Sequence, residues 1–151
     1  RLVMTAEGPF TSSVHQPTLA EEAFFFDLSL DLLAVVGLDG YFKRINPMFS
    51  QILGYSDHEF LTRPFLDFVH PDDRAATLAE MEQLKGGTPT LAFENRYLTR
   101  EGDYRWLSWT ASPQIDRAVI YCIARDVTQQ KQTAMALRVS EERWQLALRG
   151  S

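Results

Sequence analysis

After Gly86-Gly87 the spacing of apolar residues changes from helical to alternating, and it stays alternating through residues 91–99, 104–112 and 118–125. Alternation puts successive side chains on opposite faces of a sheet. The intervening Glu101-Gly102-Asp103 and residues 113–117 are turn-length, so neighbouring segments pair antiparallel. Two further strands flank Asp39-Gly40: a Val-rich run over 32–38 and an alternating run over 41–45, joined as a tight hairpin. The expected architecture is α+β, a five-stranded antiparallel sheet with short helices on one face.

The helices announce themselves by their ends. Thr18 can cap a helix, with Glu21 three residues on as a capping-box partner, and residues 18–31 form an N-terminal flanking helix. Its Phe24, Phe25, Phe26, Leu28 and Leu30 are expected to be buried, either on this domain's sheet or against a partner chain. Asn46-Pro47 starts a short helix over 48–53, with Asn46 as cap and Pro47 at the first helical position, and Gly54 stops it in the left-handed region. Pro64 and Pro71 divide the next stretch into short helical pieces. The longest begins near Pro71, with Asp72 and Asp73 at its positive end, and runs to Gly86-Gly87. Residues 128–148 contain no Gly or Pro and form a long helix leaving the domain. Residues 1–17, punctuated by Gly8, Pro9, Ser12, Ser13 and Pro17, read as a linker. The organisation expected is therefore a linker over 1–17, a flanking helix over 18–31, a core over 32–127 and a connector over 128–151.

Composition narrows the function. With 45% hydrophobic residues in 151, the chain can bury one full core and is not a disordered tail. A formal charge of −5 argues against a dedicated nucleic-acid binder, and places Arg105-Trp106 beside Trp109 as sheet residues rather than a base-stacking platform. A single cysteine, Cys122, excludes an intramolecular disulfide and a cysteine zinc cluster, and it reads as a small buried core residue. No apolar run approaches the ~18 residues of a membrane span, and no secretory pattern appears, so the expected compartment is the cytoplasm. Arg1 in place of a starting Met reads as an excerpt of a longer chain.

Several local motifs occur in a telling order. Asp39-Gly40 is followed by Asn46, then Phe49 with Leu53-Gly54-Tyr55, then His70-Pro71-Asp72-Asp73, then Glu94 and Arg96 in a strand. Gly102 with Trp106, and the strand-ending Asp126-Val127-Thr128, complete the series. Over about residues 20–132 the chain resembles a PAS domain with its C-terminal PAC part. The resemblance implies a sensory or regulatory module of a multi-domain bacterial signalling protein, without catalysis of its own. The output it implies is a histidine kinase or a GGDEF-type diguanylate cyclase in the same chain. Residues 140–148 resemble the first helix of a second such domain.

The chemistry-bearing residues support that expectation. A light-sensing flavin adduct, in the family the chain resembles, needs a cysteine in the short helix before His70, where the chain reads Pro64-Phe65-Leu66-Asp67-Phe68. A haem-binding member would carry an axial His on the helix after Pro71, which has none; His70 reads as a structural cap, and His15 and His58 as exposed. No cofactor is expected on these grounds, and the scattered His residues make no metal site. Neither a nucleophile with its base nor a phosphate-cradling loop is visible, and Asp72-Asp73 reads as a helix start rather than an acid pair. An enzyme on a similar α+β fold, the remote alternative, would need convergent titratable groups, of which the sequence shows too few.

What remains is an apolar interior. Phe49, Ile52, Phe68 and Met81, with Leu53, Phe65 and Leu78, would face Ile45, Phe93, Tyr97, Trp109 and Ile123 from the sheet. Asn95 shares a strand face with Phe93 and Tyr97 and could offer a polar contact to a small ligand. The large side chains favour a filled or small-ligand interior over a large cofactor pocket. Arg96 with Glu94 reads as serving the sheet's other face or a surface ion pair.

The exit is the other candidate site. Asp126 could cap the outgoing helix with Gln129 as capping-box partner, and Arg100, Arg105 or Arg125 could pair with it. In the family the chain resembles, this triplet couples strand movement to the helix, so Asp126, Val127 and Thr128 are the expected signal relay. The connector carries a near-heptad seam at Val127, Ala134, Leu137, Glu141, Trp144 and Leu148, in competition with a stripe at Met135, Val139 and Leu146. A homodimer through Phe24, Phe25, Leu28, Leu137 and Trp144 is expected; a connector packed back on its own sheet is the alternative.

Overall fold

A computed structural model describes residues 14–150. Most of the linker expected over 1–17 lies outside the described residues. Helix α1, Leu19–Leu28, precedes the hairpin of β1, Leu32–Gly37, and β2, Phe42–Ile45. The helical layer comes next: α2, Met48–Leu53; α3, Asp57–Thr62; single 3₁₀ turns at Phe65–Phe68 and Pro71–Asp73; and α4, Arg74–Lys85. Strands β3, Thr90–Leu98, β4, Tyr104–Gln114, and β5, Val119–Asp126, complete the sheet, and α5, Thr128–Arg149, leaves it.

The five strands lie in the order β2-β1-β5-β4-β3, antiparallel throughout. This is the α+β architecture expected, and the register explains how the ends meet. Leu32 at the start of β1 pairs with Ala124 near the end of β5, so both flanking helices attach at one end of the sheet.

The core lies between the sheet's inner face and α2–α4. Phe42, Phe49, Phe60 and Phe68 are fully buried and meet mostly edge-on, with ring centroids of Phe42–Phe49 at 5.3 Å and Phe49–Phe60 at 5.5 Å. Edge-on packing suits the aromatic quadrupole and adds to the area each ring removes from water. Edge strand β3 is covered by the segment before α4: His70 N donates to Arg96 O at 2.8 Å, and Val69 bridges Tyr97. Covering that edge removes a template for intermolecular pairing.

Several boundaries differ from the sequence reading. Helix α1 ends at Leu28 instead of 31, because Ser29 turns extended and its Oγ accepts from Asp31 N at 3.1 Å. The helix expected to start near Pro71 begins as a separate 3₁₀ turn. There His70 Nδ1 accepts from Asp72 N at 3.0 Å, as expected of a structural cap. Asn46 does not cap α2 with its side chain. It is buried, its Oδ1 accepts from Leu33 N at 3.1 Å, and its Nδ2 donates to Asp31 O at 2.8 Å and Phe26 O at 3.2 Å. A buried amide is stable only when its groups are paired, and three backbone partners, from α1, the turn after it and the start of β1, outcompete a helix cap.

Candidate functional site

Two places bring functional side chains together: the interior between α4 and the sheet, and the junction of β5 with α5.

The interior holds a cavity of about 60 Å³, lined among others by Met81, Phe93, Asn95, Tyr97 and Trp109 of the expected set. At the ~15 Å³ a water needs, that is room for about four waters or a ligand of a few heavy atoms. Phe49 and Phe68 are buried in the aromatic cluster and Ile52 is half-buried beside it; none of the three lines the cavity. Ile123 is a correction. It is 49% exposed on the sheet's outer face, and Ile120, Cys122 and Ala124 face inward instead. The reason is that β5 carries apolar residues on both faces, so alternation alone left its parity open. Leu78 is likewise exposed, because α4 turns Thr77, Met81 and Leu84 inward at helical spacing. That spacing was the signal by which Thr77 could have been found.

Trp109, Asn95 and Thr77 of the cavity wall are joined in one hydrogen-bonded chain. Trp109 Nε1 donates to Asn95 Oδ1 at 2.7 Å, Asn95 Nδ2 donates to Thr77 Oγ1 at 3.1 Å, and Thr77 Oγ1 donates to Asp73 O at 2.7 Å. At the rim Thr90 Oγ1 donates to Glu80 Oε2 at 2.9 Å. Burial pushes the Cys122 thiol up to about 12, so it stays protonated at neutral pH and is a poor nucleophile. Burial also raises the Tyr97 phenol above its ordinary value. Among the described residues no three His, Cys, Asp or Glu side chains are grouped to hold a metal ion.

Arg96 does not pair with Glu94. Its backbone N and Nε donate to Asp73 Oδ2 at 2.7 and 2.9 Å, and its Nη2 donates to Asp73 Oδ1 at 2.7 Å. This fork holds the Asp73 carboxyl below its ordinary 3.8, against a smaller opposing effect of burial. Glu94 bonds Lys131 of α5 at 2.7 Å. The Trp106 ring receives Lys131 Nζ at 4.4 Å and the Arg96 guanidinium at 5.1 Å from its centroid.

At the exit the expected capping box with Gln129 gives way to a tighter arrangement. Asp126 Oδ1 accepts from Thr128 N at 3.0 Å and from Thr128 Oγ1 at 2.5 Å. Trp106 N donates to Thr128 Oγ1 at 2.8 Å, and Val127 N donates to Trp106 O at 2.8 Å, so the last turn before α5 extends the β4 ladder. Of the three candidate basic partners, Arg105 Nη1 approaches Asp126 Oδ2, at 3.5 Å. Arg100 instead bonds Glu59 and Gly54 O, and Arg125 faces Asp31 at 3.8 Å. Beyond Thr128 no described residue of α5 is buried, so past its first turn, where Lys131 meets Glu94 and Trp106, the helix does not pack back on its own sheet. Leu137 and Trp144 are 60% and 68% exposed, and Phe24, Phe25 and Leu28 of α1 are exposed as well. None of the described helices is long and apolar enough to cross a membrane.

Residues 42–124 match a family model described as PAS fold. Among solved structures, a domain of a sensory box sensor histidine kinase/response regulator from Geobacter sulfurreducens is 27% identical, with a TM-score of 0.62, covering 70% of this chain and 90% of that one. A PAS domain from Colwellia psychrerythraea is 22% identical with a TM-score of 0.66, covering 74% and 98%. The N-terminal domain of a diguanylate cyclase with PAS/PAC sensor from Marinobacter aquaeolei is 17% identical with a TM-score of 0.59, covering 67% and 98%.

Proposed function

Because this chain belongs to the PAS family, we propose that it is a sensory relay and dimerisation module whose output passes through Asp126, Val127 and Thr128 to α5. The observation that carries this reading is the exit itself. Asp126 and the Trp106 backbone together hold Thr128, the one buried residue of a 22-residue helix. A small displacement of β4 against β5 therefore changes the direction of a long lever that is held only at its first turn. The core over 32–127 is the module, the connector leads to a following domain, itself of the same family, and the module works in the cytoplasm as a homodimer. Kinase and cyclase neighbours support a histidine kinase or diguanylate cyclase as output, with no chemistry in this segment.

Asp126→Ala in the full-length parent tests the reading. The expected result is a change in basal or stimulated output of about fivefold or more, the lower end of measured couplings. Unchanged basal and stimulated output would overturn it.

Direct sensing of a small ligand is the second reading, and the cavity beside Asn95 favours it. At about 60 Å³ it suits a molecule of a few heavy atoms rather than a flavin or haem. Extra mass of that size on the chain in native mass spectrometry supports this reading over a pure relay.

A further inference from the structure

A continuous line of contacts joins the cavity wall to α5 without passing through Asp126. It starts at Trp109 and Asn95, crosses the Thr77 hydroxyl, and reaches Asp73 through that residue's carbonyl. The Asp73 carboxylate grips Arg96, Arg96 lies over the Trp106 ring, and Lys131 of α5 lies over the same ring. Glu94 holds Lys131 in place at 2.7 Å.

Each link is directional. The Thr77 hydroxyl has one proton, given to Asp73 O, so it can only accept from Asn95. Asn95 in turn gives its oxygen to Trp109 and its amide to Thr77. The ring is the shared step. Arg96 and Lys131 are like charges drawn to one quadrupole, and each is neutralised by its own carboxylate, Asp73 or Glu94. A shift in the hold of Asp73 on Arg96 therefore changes the place open to Lys131 on the ring.

We propose that Trp106 is a positioning residue for α5, and that this line carries the state of the cavity wall to the first turn of the helix. The proposal rests on reading α5 as the module's output, and it adds a second route beside Asp126.

Amide hydrogen exchange on the chain itself tests it, with Thr77→Val as the perturbation. Valine keeps the shape and removes the hydroxyl that joins Asn95 to Asp73. The Lys131 amide, bonded to Val127 O at 3.0 Å, reports α5, and the Ala34 amide in β1 reports general loosening. Exchange at Lys131 is expected to rise at least about twofold more than at Ala34, the lower end of coupling through packed networks. In a Trp106→Leu background that excess is expected to vanish. No change, equal changes at both amides, or an excess that survives Trp106→Leu would overturn the proposal. Should Thr77→Val not fold, Arg96→Lys, which keeps the charge and loses the fork, is read the same way. Failure here with a responsive Asp126→Ala parent removes the second route alone; an unresponsive parent removes the relay reading.

Discussion

Asp73 receives three hydrogen bonds from Arg96, and its side chain is only 17% exposed. Charged hydrogen bonds of this kind are worth about 2 kcal/mol in net stability. The carboxyl titrates below its unfolded value of 3.8, so the folded state favours the ionised form. The stabilisation is therefore complete above about pH 5 and is lost as pH falls through the lowered folded value. Asp73→Asn is expected to cost about 2 kcal/mol at pH 7 in urea unfolding. The gap between wild type and variant should narrow steadily below pH 4. A gap that stays constant down to pH 2 would show that the pair contributes by packing and not by charge. The motif His70-Pro71-Asp72-Asp73 was visible in the sequence, yet the partner of Asp73 lies 23 residues away on another element. Local spacing carries no information about such a pairing, and of the two roles the sequence leaves open for Arg96 and Glu94, the ion pair between them does not form.

At the scale of elements, α1 has no buried residue and sits against the core through few contacts. Asn46 Nδ2 donates to Phe26 O, and the Arg44 guanidinium lies 4.1 Å from the Phe26 ring centroid. Asn46 thus ties the incoming helix, the start of β1 and the end of β2 with one side chain. Asn46→Ala removes three hydrogen bonds and leaves buried backbone groups unpaired, for an expected loss of about 3 kcal/mol. The amides of α1 should also lose exchange protection beyond the global loss. A cost below about 1 kcal/mol in urea titration would show that water replaces the amide without penalty. Element types were well legible, because their signals are local. Thr18 accepts from Glu21 N at 3.1 Å as a cap should, and Gly40 and Gly54 take φ of 84° and 87° where the turn and the helix stop require them. The role of Asn46 was not legible, since a capping residue and a buried bridge have the same sequence signature before Pro47.

For the whole molecule, the two flanking helices leave one end of the sheet with their apolar residues in water. Exposed Phe24, Phe25 and Leu28 on α1, and Leu137 and Trp144 on α5, are what a second copy would cover in the proposed dimer. Light scattering on the wild-type chain is expected to give twice the mass of one chain. Leu137→Glu with Trp144→Glu should reduce it to a single-chain mass, with the melting of the core little changed. A wild-type chain that stays at single mass at high concentration removes the dimer from the proposal.

Alternation, caps and turn residues sufficed to read the strand count, the antiparallel pairing, the short helices and the long outgoing helix. Each depends on backbone chemistry within a few residues. The facing of β5, the bridge made by Asn46 and the grip of Asp73 on Arg96 did not emerge from any such signal. They arise where segments far apart in the chain compete for the same interior. The winner there is set by which arrangement leaves the fewest buried polar groups unpaired and the least apolar surface exposed.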